Sequence, residues 1–183
     1  ILERVERCTK DVSRGFDRWD DPTARGPGLY FIVERESIAE HTDPMGSNRW
    51  PVEDCGSVLD GTDVLLDTAG AVASSCDGAI VVHSDGTIDE AMVRVKQLSS
   101  AERRHVGDLP YAGWMGARHM SALETSTREE VVAAITLSEE DGRVTVFANG
   151  RFEERRPRSE IVRRLRDATG AAPGTGPALV AVP

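Results

Sequence analysis

Cys76-Asp77-Gly78-Ala79-Ile80-Val81-Val82, followed by His83-Ser84-Asp85-Gly86-Thr87, is the stretch whose reading decides the fold. Four apolar residues in a row, three of them β-branched, predict a buried strand over 78–83. Ser84-Asp85-Gly86 is turn chemistry, so a second strand over 87–95 is expected to return antiparallel to the first as a hairpin. Upstream, Asp60-Gly61-Thr62 offers caps for a helix through Val64, Leu65, Leu66, Ala69 and Val72, ending near Ser75. A helix feeding a buried strand that returns as a hairpin implies a mixed sheet covered by helices.

Leu29-Tyr30-Phe31-Ile32-Val33 is a second short apolar run and reads as another buried strand. Before it, apolar residues at 1, 2, 5, 8, 12, 16 and 19 form a helical stripe, stopped by the turn-forming residues of 20–28. Residues 34–60, with Pro44, Gly46, Pro51 and Gly56, are expected to be a long irregular surface connection. Downstream, a short charged helix is expected over 101–105 and a helix over 117–127. A buried strand over 131–137, a turn at Asp141-Gly142 and a strand over 143–148 follow. Beyond a turn at Asn149-Gly150, residues 157–168 read as a closing Arg-rich helix. The expected fold is a single α/β domain with a mixed central sheet flanked by helices. Its parts are an N-terminal helix and linker over 1–27, the body over 28–169, and a Gly/Ala/Pro-rich tail over 170–183. That tail is either a flexible end or an added edge strand.

Composition narrows the function. The chain has 183 residues, enough for one full core. Aromatic residues are only 5% of it, so the core must be mostly aliphatic. The net charge of −9 argues against wrapping nucleic acid, which requires a basic surface. It leaves nucleotides open, because a divalent ion and one or two arginines can reverse the sign locally. Arginine outnumbers lysine 20 to 2 (Lys10 and Lys96). Acid excess with scarce lysine suits a salt-rich cytoplasm, though a GC-rich genome would also replace lysine by arginine. No apolar run approaches the ~18 residues of a membrane span. Cys8, Cys55 and Cys76, odd in number and scattered, read as reduced cytosolic thiols. The chain opens on Ile1 rather than Met, so a piece of a longer or processed protein is expected.

Three segments could carry chemistry. Asp77-Gly78 puts a carboxylate at a strand entry beside a residue that lets a ligand approach the backbone, as Mg²⁺ or Mn²⁺ next to a ribose would need. An ordinary strand-entry turn has the same appearance. Gly116-Ala117-Arg118-His119-Met120-Ser121-Ala122 opens a helix, whose free N–H groups face an anion while Arg118 adds a forked phosphate donor. His119 either donates to a phosphate oxygen or is a satisfied, partly buried imidazole. Ser138-Glu139-Glu140 stands at a strand end, where Ser138 could meet phosphate and one Glu a metal; a polar hairpin turn reads the same way. His41, His83 and His105 read as structural or surface residues, and the arginines from Arg151 to Arg166 as a solvated face.

Taken in order, these segments resemble the diadenylate cyclase domain family, over roughly Gly28 to Gly150. Leu29 to Glu36 is similar to the family's first core strand and Ile88 to Leu98 to the strand and loop after the hairpin. Asp77-Gly78-Ala79 matches its Asp-Gly-Ala motif. Gly116 to Ala122 resembles its Gly-Thr-Arg-His-Arg-x-Ala motif, and Ser138-Glu139-Glu140 its Ser-Glu-Glu. The resemblance implies condensation of two ATP into cyclic di-AMP and pyrophosphate across a face-to-face dimer in the cytoplasm, with no nucleic-acid or membrane partner. It implies that Asp77 ligates Mn²⁺ or Mg²⁺ and activates the attacking hydroxyl, with Glu140 as the second acid near the metal. Gly78 and Ala79 would line the nucleotide, Val95 would pack on adenine, and Gly116, Ala117, Arg118 and Ser138 would hold phosphates, assisted by His119. Two departures stand out. The motif's Thr is Ala117 and its second Arg is Met120, which removes a hydroxyl and a charge. Two alternatives follow: a catalytically weak or inactive nucleotide sensor, and a metal-dependent phosphohydrolase using Asp77 and Glu140.

Overall fold

Leu29, Phe31 and Val33 pack into one buried cluster, whereas Tyr30 and Ile32 pack into another. A strand whose alternate residues both meet apolar partners lies at the centre of a covered sheet, which is why it reads as an unbroken apolar run. The computed structural model describes residues 1–21 and 23–155. It shows this strand, β1 (Leu29–Glu34), in the middle of a seven-stranded mixed sheet. The other strands are β2 (Thr42–Pro44), β3 (Ala79–Val82), β4 (Ile88–Val95), β5 (Val131–Leu137), β6 (Val144–Ala148) and β7 (Arg151–Arg155), in the order β2-β4-β3-β1-β5-β6-β7. β1 and β3 are parallel, with Phe31 opposite Ile80; every other pair is antiparallel.

The described residues form four helices, α1 (Leu2–Gly15), α2 (Thr62–Ser75), α3 (Ser100–Val106) and α4 (Ala117–Thr125), of which α1, α2 and α4 pack on the sheet. Val5, Cys8 and Val12 of α1 and Leu65, Ala69 and Val72 of α2 share the cluster with Phe31, Val82 and Leu137. Ala122 and Leu123 of α4 share the other with Ile32, Val81 and Phe147. The chain is therefore a single α/β domain with a mixed sheet between helical layers. α1, counted in the sequence as a separate N-terminal segment, packs into its core.

Several boundaries differ from the sequence expectation. α1 stops at Gly15, four residues before Trp19, because Phe16 turns extended (φ −92°, ψ 119°). Trp19 folds back instead, donating its indole N–H to the Ser13 carbonyl at 3.0 Å and packing edge-on to Phe16. Residues 34–60 are not simply a surface connection. They contain a 3₁₀ turn (Ala39–His41) and the edge strand β2, and they bury Ile38, Trp50, Cys55 and Val58. Arg151, read as part of a solvated arginine face, begins β7. The positive φ values of Asn149 (51°) and Gly150 (67°) shape the tight turn from β6. The closing helix expected over 157–168 and the tail over 170–183 lie outside the described residues. Among the described residues no helix is long and apolar enough to cross a membrane, and all three cysteines are free.

Candidate functional site

The starts of β1 and β3 and the end of β5 meet at one corner of the sheet, since β1 runs parallel to β3 and Leu29 faces Leu137. Asp77 and Gly78 precede β3 there, Ser138 and Glu139 follow β5, and the first turn of α4 brings Arg118. The linker ahead of β1 adds Arg25. The strand ends fix this corner, so residues distant in the chain share it.

The backbone is strained where Gly78 sits. Gly78 has φ +87°, and a Cβ on it would lie 3.0 Å from the backbone of Met92. Met92 itself has φ +61°, unusual for a residue with a side chain. The β3–β4 register slips between Ala79 and Val81, so Met92 occupies a bulge. The Met92 carbonyl accepts a hydrogen bond from Met45 N–H at 2.7 Å. Sharp local geometry of this kind re-aims the chain and concentrates at sites that do chemistry.

Asp77 stands on the rim with 66% of its side chain exposed. It accepts no hydrogen bond among the described residues. Nη2 of Arg25 and Nη2 of Arg118 each lie 3.9 Å from the same oxygen, Oδ1. Arg118 donates to the Leu137 carbonyl (3.3 Å) and to Glu139 Oε1 (2.6 Å). Arg25 donates from Nε to Glu139 Oε2 at 2.8 Å. Glu139 thus bridges two guanidiniums, one on each oxygen. Burial pushes its carboxyl upward, but the hydrogen bonds from Arg25 and Arg118 outweigh that and hold it below the ordinary range. Gly28 permits the bridge, because a Cβ there would lie 2.4 Å from both Arg118 Nη1 and Glu139 Oε1.

A cleft of about 450 Å³ opens beside Arg118, lined by Tyr30, Gly78, Val93, Val95, Ala117 and Met120, among others. A lining that joins apolar residues to the cations Arg118, Arg94 and Lys96 suits a flat base carrying a phosphate chain. A second hollow, about 630 Å³, lies between α1, α2 and the linker, where it meets Arg25, Asp77 and Glu139. The ion-pair group stands between the two spaces.

The cleft thus gathers Gly78, Val95, Ala117 and Arg118 of the residues picked from sequence, with Asp77 next to Gly78. Gly116 is the exposed N-cap of α4 and makes no side-chain cap bond. Ala79 is fully buried in the core. His119 is buried too, edge-on to Trp114 at 5.0 Å and tilted against Phe147, and its Nε2 has no hydrogen-bond partner. Burial first, then the nearby Arg118 and Arg143 charges, push its pKa down to about 4, so the ring is neutral near pH 7. Ser138 is buried in the β5–β6 turn, where its hydroxyl accepts from Glu140 N–H at 3.3 Å and donates to Asp141. Glu140 is exposed on that turn. Neither residue lines the cleft or the hollow.

The sequence reading missed Arg25, Glu139 as the bridging acid, and Gly28. For Glu139 a signal existed, since it adjoins the apolar strand within Ser-Glu-Glu. Arg25 sits in turn-rich sequence that carries no signal. As for a metal, no group of three or more His, Cys, Asp or Glu among the described residues could hold an ion. Asp77 is an exposed carboxylate at this corner that accepts no hydrogen bond among the described residues, and Mg²⁺ commonly takes only one or two carboxylates from a protein.

Residues 62–152 match the model of a family described as DAC, DisA bacterial checkpoint controller nucleotide-binding. Among solved structures, a double mutant of DacA from Staphylococcus aureus is 18% identical, with a TM-score of 0.52, covering 91% of this chain and 93% of that one. A protein from Bacillus cereus described as a hypothetical membrane spanning protein is 17% identical with a TM-score of 0.56. That match covers 84% of this chain, which spans 62% of the Bacillus cereus chain. At these identities both neighbours share the fold. No curated protein matches the chain in sequence.

Proposed function

We propose, from the match of residues 62–152 to the DAC nucleotide-binding family model, that this chain is a nucleotide-binding domain of that kind and condenses two ATP into cyclic di-AMP and two pyrophosphates. The observation that carries the reading is the apolar cleft ending at Arg118 beside an exposed, unbonded Asp77. In each half of the reaction a ribose 3′-oxygen attacks the α-phosphorus of the other ATP. The bond from that phosphorus to the bridging oxygen breaks, and pyrophosphate leaves. The hydroxyl proton passes to Asp77 or to water beside it.

Two bound nucleotides must face one another, so two protomers meet at this corner. Val95 and the neighbouring apolar wall hold the base, while Arg118 and the backbone around Ala117 hold phosphates. Gly78 lets the sugar come close to the backbone. Asp77 would hold a divalent ion, Mn²⁺ or Mg²⁺, which would supply charge neutralisation at the phosphates; Glu140, exposed on the β5–β6 turn, lines neither space. Positioning and electrostatics of this kind account for most of the catalysis in phosphoryl transfer.

The second reading is a nucleotide sensor. Ala117 and Met120 favour it, because they withhold a hydroxyl and a charge from the phosphates. Incubation with ATP and Mn²⁺ or Mg²⁺, in low and molar salt, with products resolved by mass spectrometry, separates the two. Cyclic di-AMP with pyrophosphate, at a rate rising more than linearly with protein concentration, is expected of the cyclase. Saturable ATP binding without product would establish the sensor.

A further inference from the structure

We propose that Arg25, on the linker between α1 and β1, is a second triphosphate-binding cation of this corner, standing in for the charge that Met120 lacks. The inference rests on the nucleotide reading above and extends it to a residue that lies outside the family-matched region and outside every motif.

Three observations carry it. First, Arg25 and Arg118 approach the same oxygen of Asp77 at the same 3.9 Å, beyond hydrogen-bond reach. Two guanidiniums therefore converge on one point at the rim without being bonded there. Second, the linker is anchored rather than draped. Gly26 N–H donates to the Glu139 carbonyl at 3.2 Å and Gly28 N–H to the Ala73 carbonyl at 2.9 Å, fixing the backbone that leads from Arg25 into β1. The side chain of Arg25 nevertheless keeps 75% of its surface exposed. Third, Arg25 meets Glu139 through Nε, which directs its Nη groups toward Asp77. A guanidinium can hold a carboxylate on one edge and a phosphate on another, and Glu139 then serves as the counter-ion that keeps it aimed. Without ligand the two arginines are balanced by Asp77 and Glu139. An incoming triphosphate, with a divalent ion taking Asp77, would leave both cations facing phosphate oxygens. Met120, exposed on the cleft wall, contributes no charge.

Titration calorimetry on the whole chain, with ATP, adenosine and inorganic tripolyphosphate as probes, tests this. Arg25→Ala is expected to weaken ATP and tripolyphosphate by about tenfold and to leave adenosine unchanged. Arg25→Lys should recover part of the loss. Unchanged triphosphate affinity in Arg25→Ala, or an equal loss for adenosine, would overturn the proposal. Turnover to cyclic di-AMP with no Arg25 effect on triphosphate binding removes Arg25 alone. Tripolyphosphate binding that depends on Arg25, in a protein that binds ATP no better than tripolyphosphate and forms no product, keeps Arg25 and removes the nucleotide reading.

Discussion

The central parallel pair of strands carries a carboxylate near each end, and the two are treated in opposite ways. Glu34 closes β1 with 4% of its surface exposed. It is bonded to His83 Nδ1 at the end of β3 and accepts the Ile38 N–H at 3.0 Å. Asp77, ahead of β3, is two-thirds exposed, accepts no hydrogen bond among the described residues, and pairs only loosely, at 3.9 Å, with two guanidiniums. A carboxylate taken out of water must have its lone pairs filled by the protein, so Glu34 is committed to holding the fold. Asp77 keeps its lone pairs for an incoming group and contributes little to stability. The same side-chain chemistry therefore serves architecture at one end and ligand binding at the other, with burial deciding which.

The contrast can be broken at either end. Asp77→Asn should lower cyclic di-AMP formation by about a hundredfold or more while thermal melting stays near the wild-type midpoint, as measured by product assay and calorimetry. Glu34→Ala should do the reverse, costing about 3 kcal/mol of stability in denaturant unfolding, with ATP affinity retained where the variant is folded. Gly78→Ala sharpens the contrast, because it strains the functional end through the backbone. A positive φ and a 3.0 Å contact with Met92 should cost about 2 kcal/mol and reduce nucleotide binding as well.

The smallest effect concerns His119. Its folded pKa of about 4 lies below the ordinary value of 6.5, so the unfolded chain binds the proton first. The stability this ring contributes is complete above pH 6.5 and is lost as the pH falls toward 4. Between pH 6.5 and 5.5 the loss should be about 1 kcal/mol. His119→Phe should flatten that part of the pH–stability curve; an unchanged slope would place the titration elsewhere.

Much of the architecture was legible because β1, β3 and β5 are covered on both faces and so read as continuous apolar runs. The edge strands were not. Thr42–Pro44 and Arg151–Arg155 are short, polar and charged, which is how sheet edges avoid pairing with other chains. Trp19 continued the helical stripe in sequence, yet its indole folds back to close the helix end. At the site, Gly78 and Arg118 could be picked out because backbone approach and phosphate binding each demand a residue type. The bridge from Arg25 to Glu139 joins residues 114 positions apart, and only the meeting of the linker with the end of β5 makes them partners. His119 shows the converse. Its sequence position left open a phosphate donor or a buried imidazole, and only the fold sets the ring among aromatic neighbours.

The order of strands also bears on how the chain is made. β1 emerges early, but its two neighbours, β3 and β5, begin about 50 and about 100 residues later. Until then both of its edges are open and its apolar faces lack their full cover, a state prone to association with other chains. A product ending before Val131 would lack the whole flank β5-β6-β7, leaving the central strand β1 as an open edge, and with it Glu139, the counter-ion of both arginines.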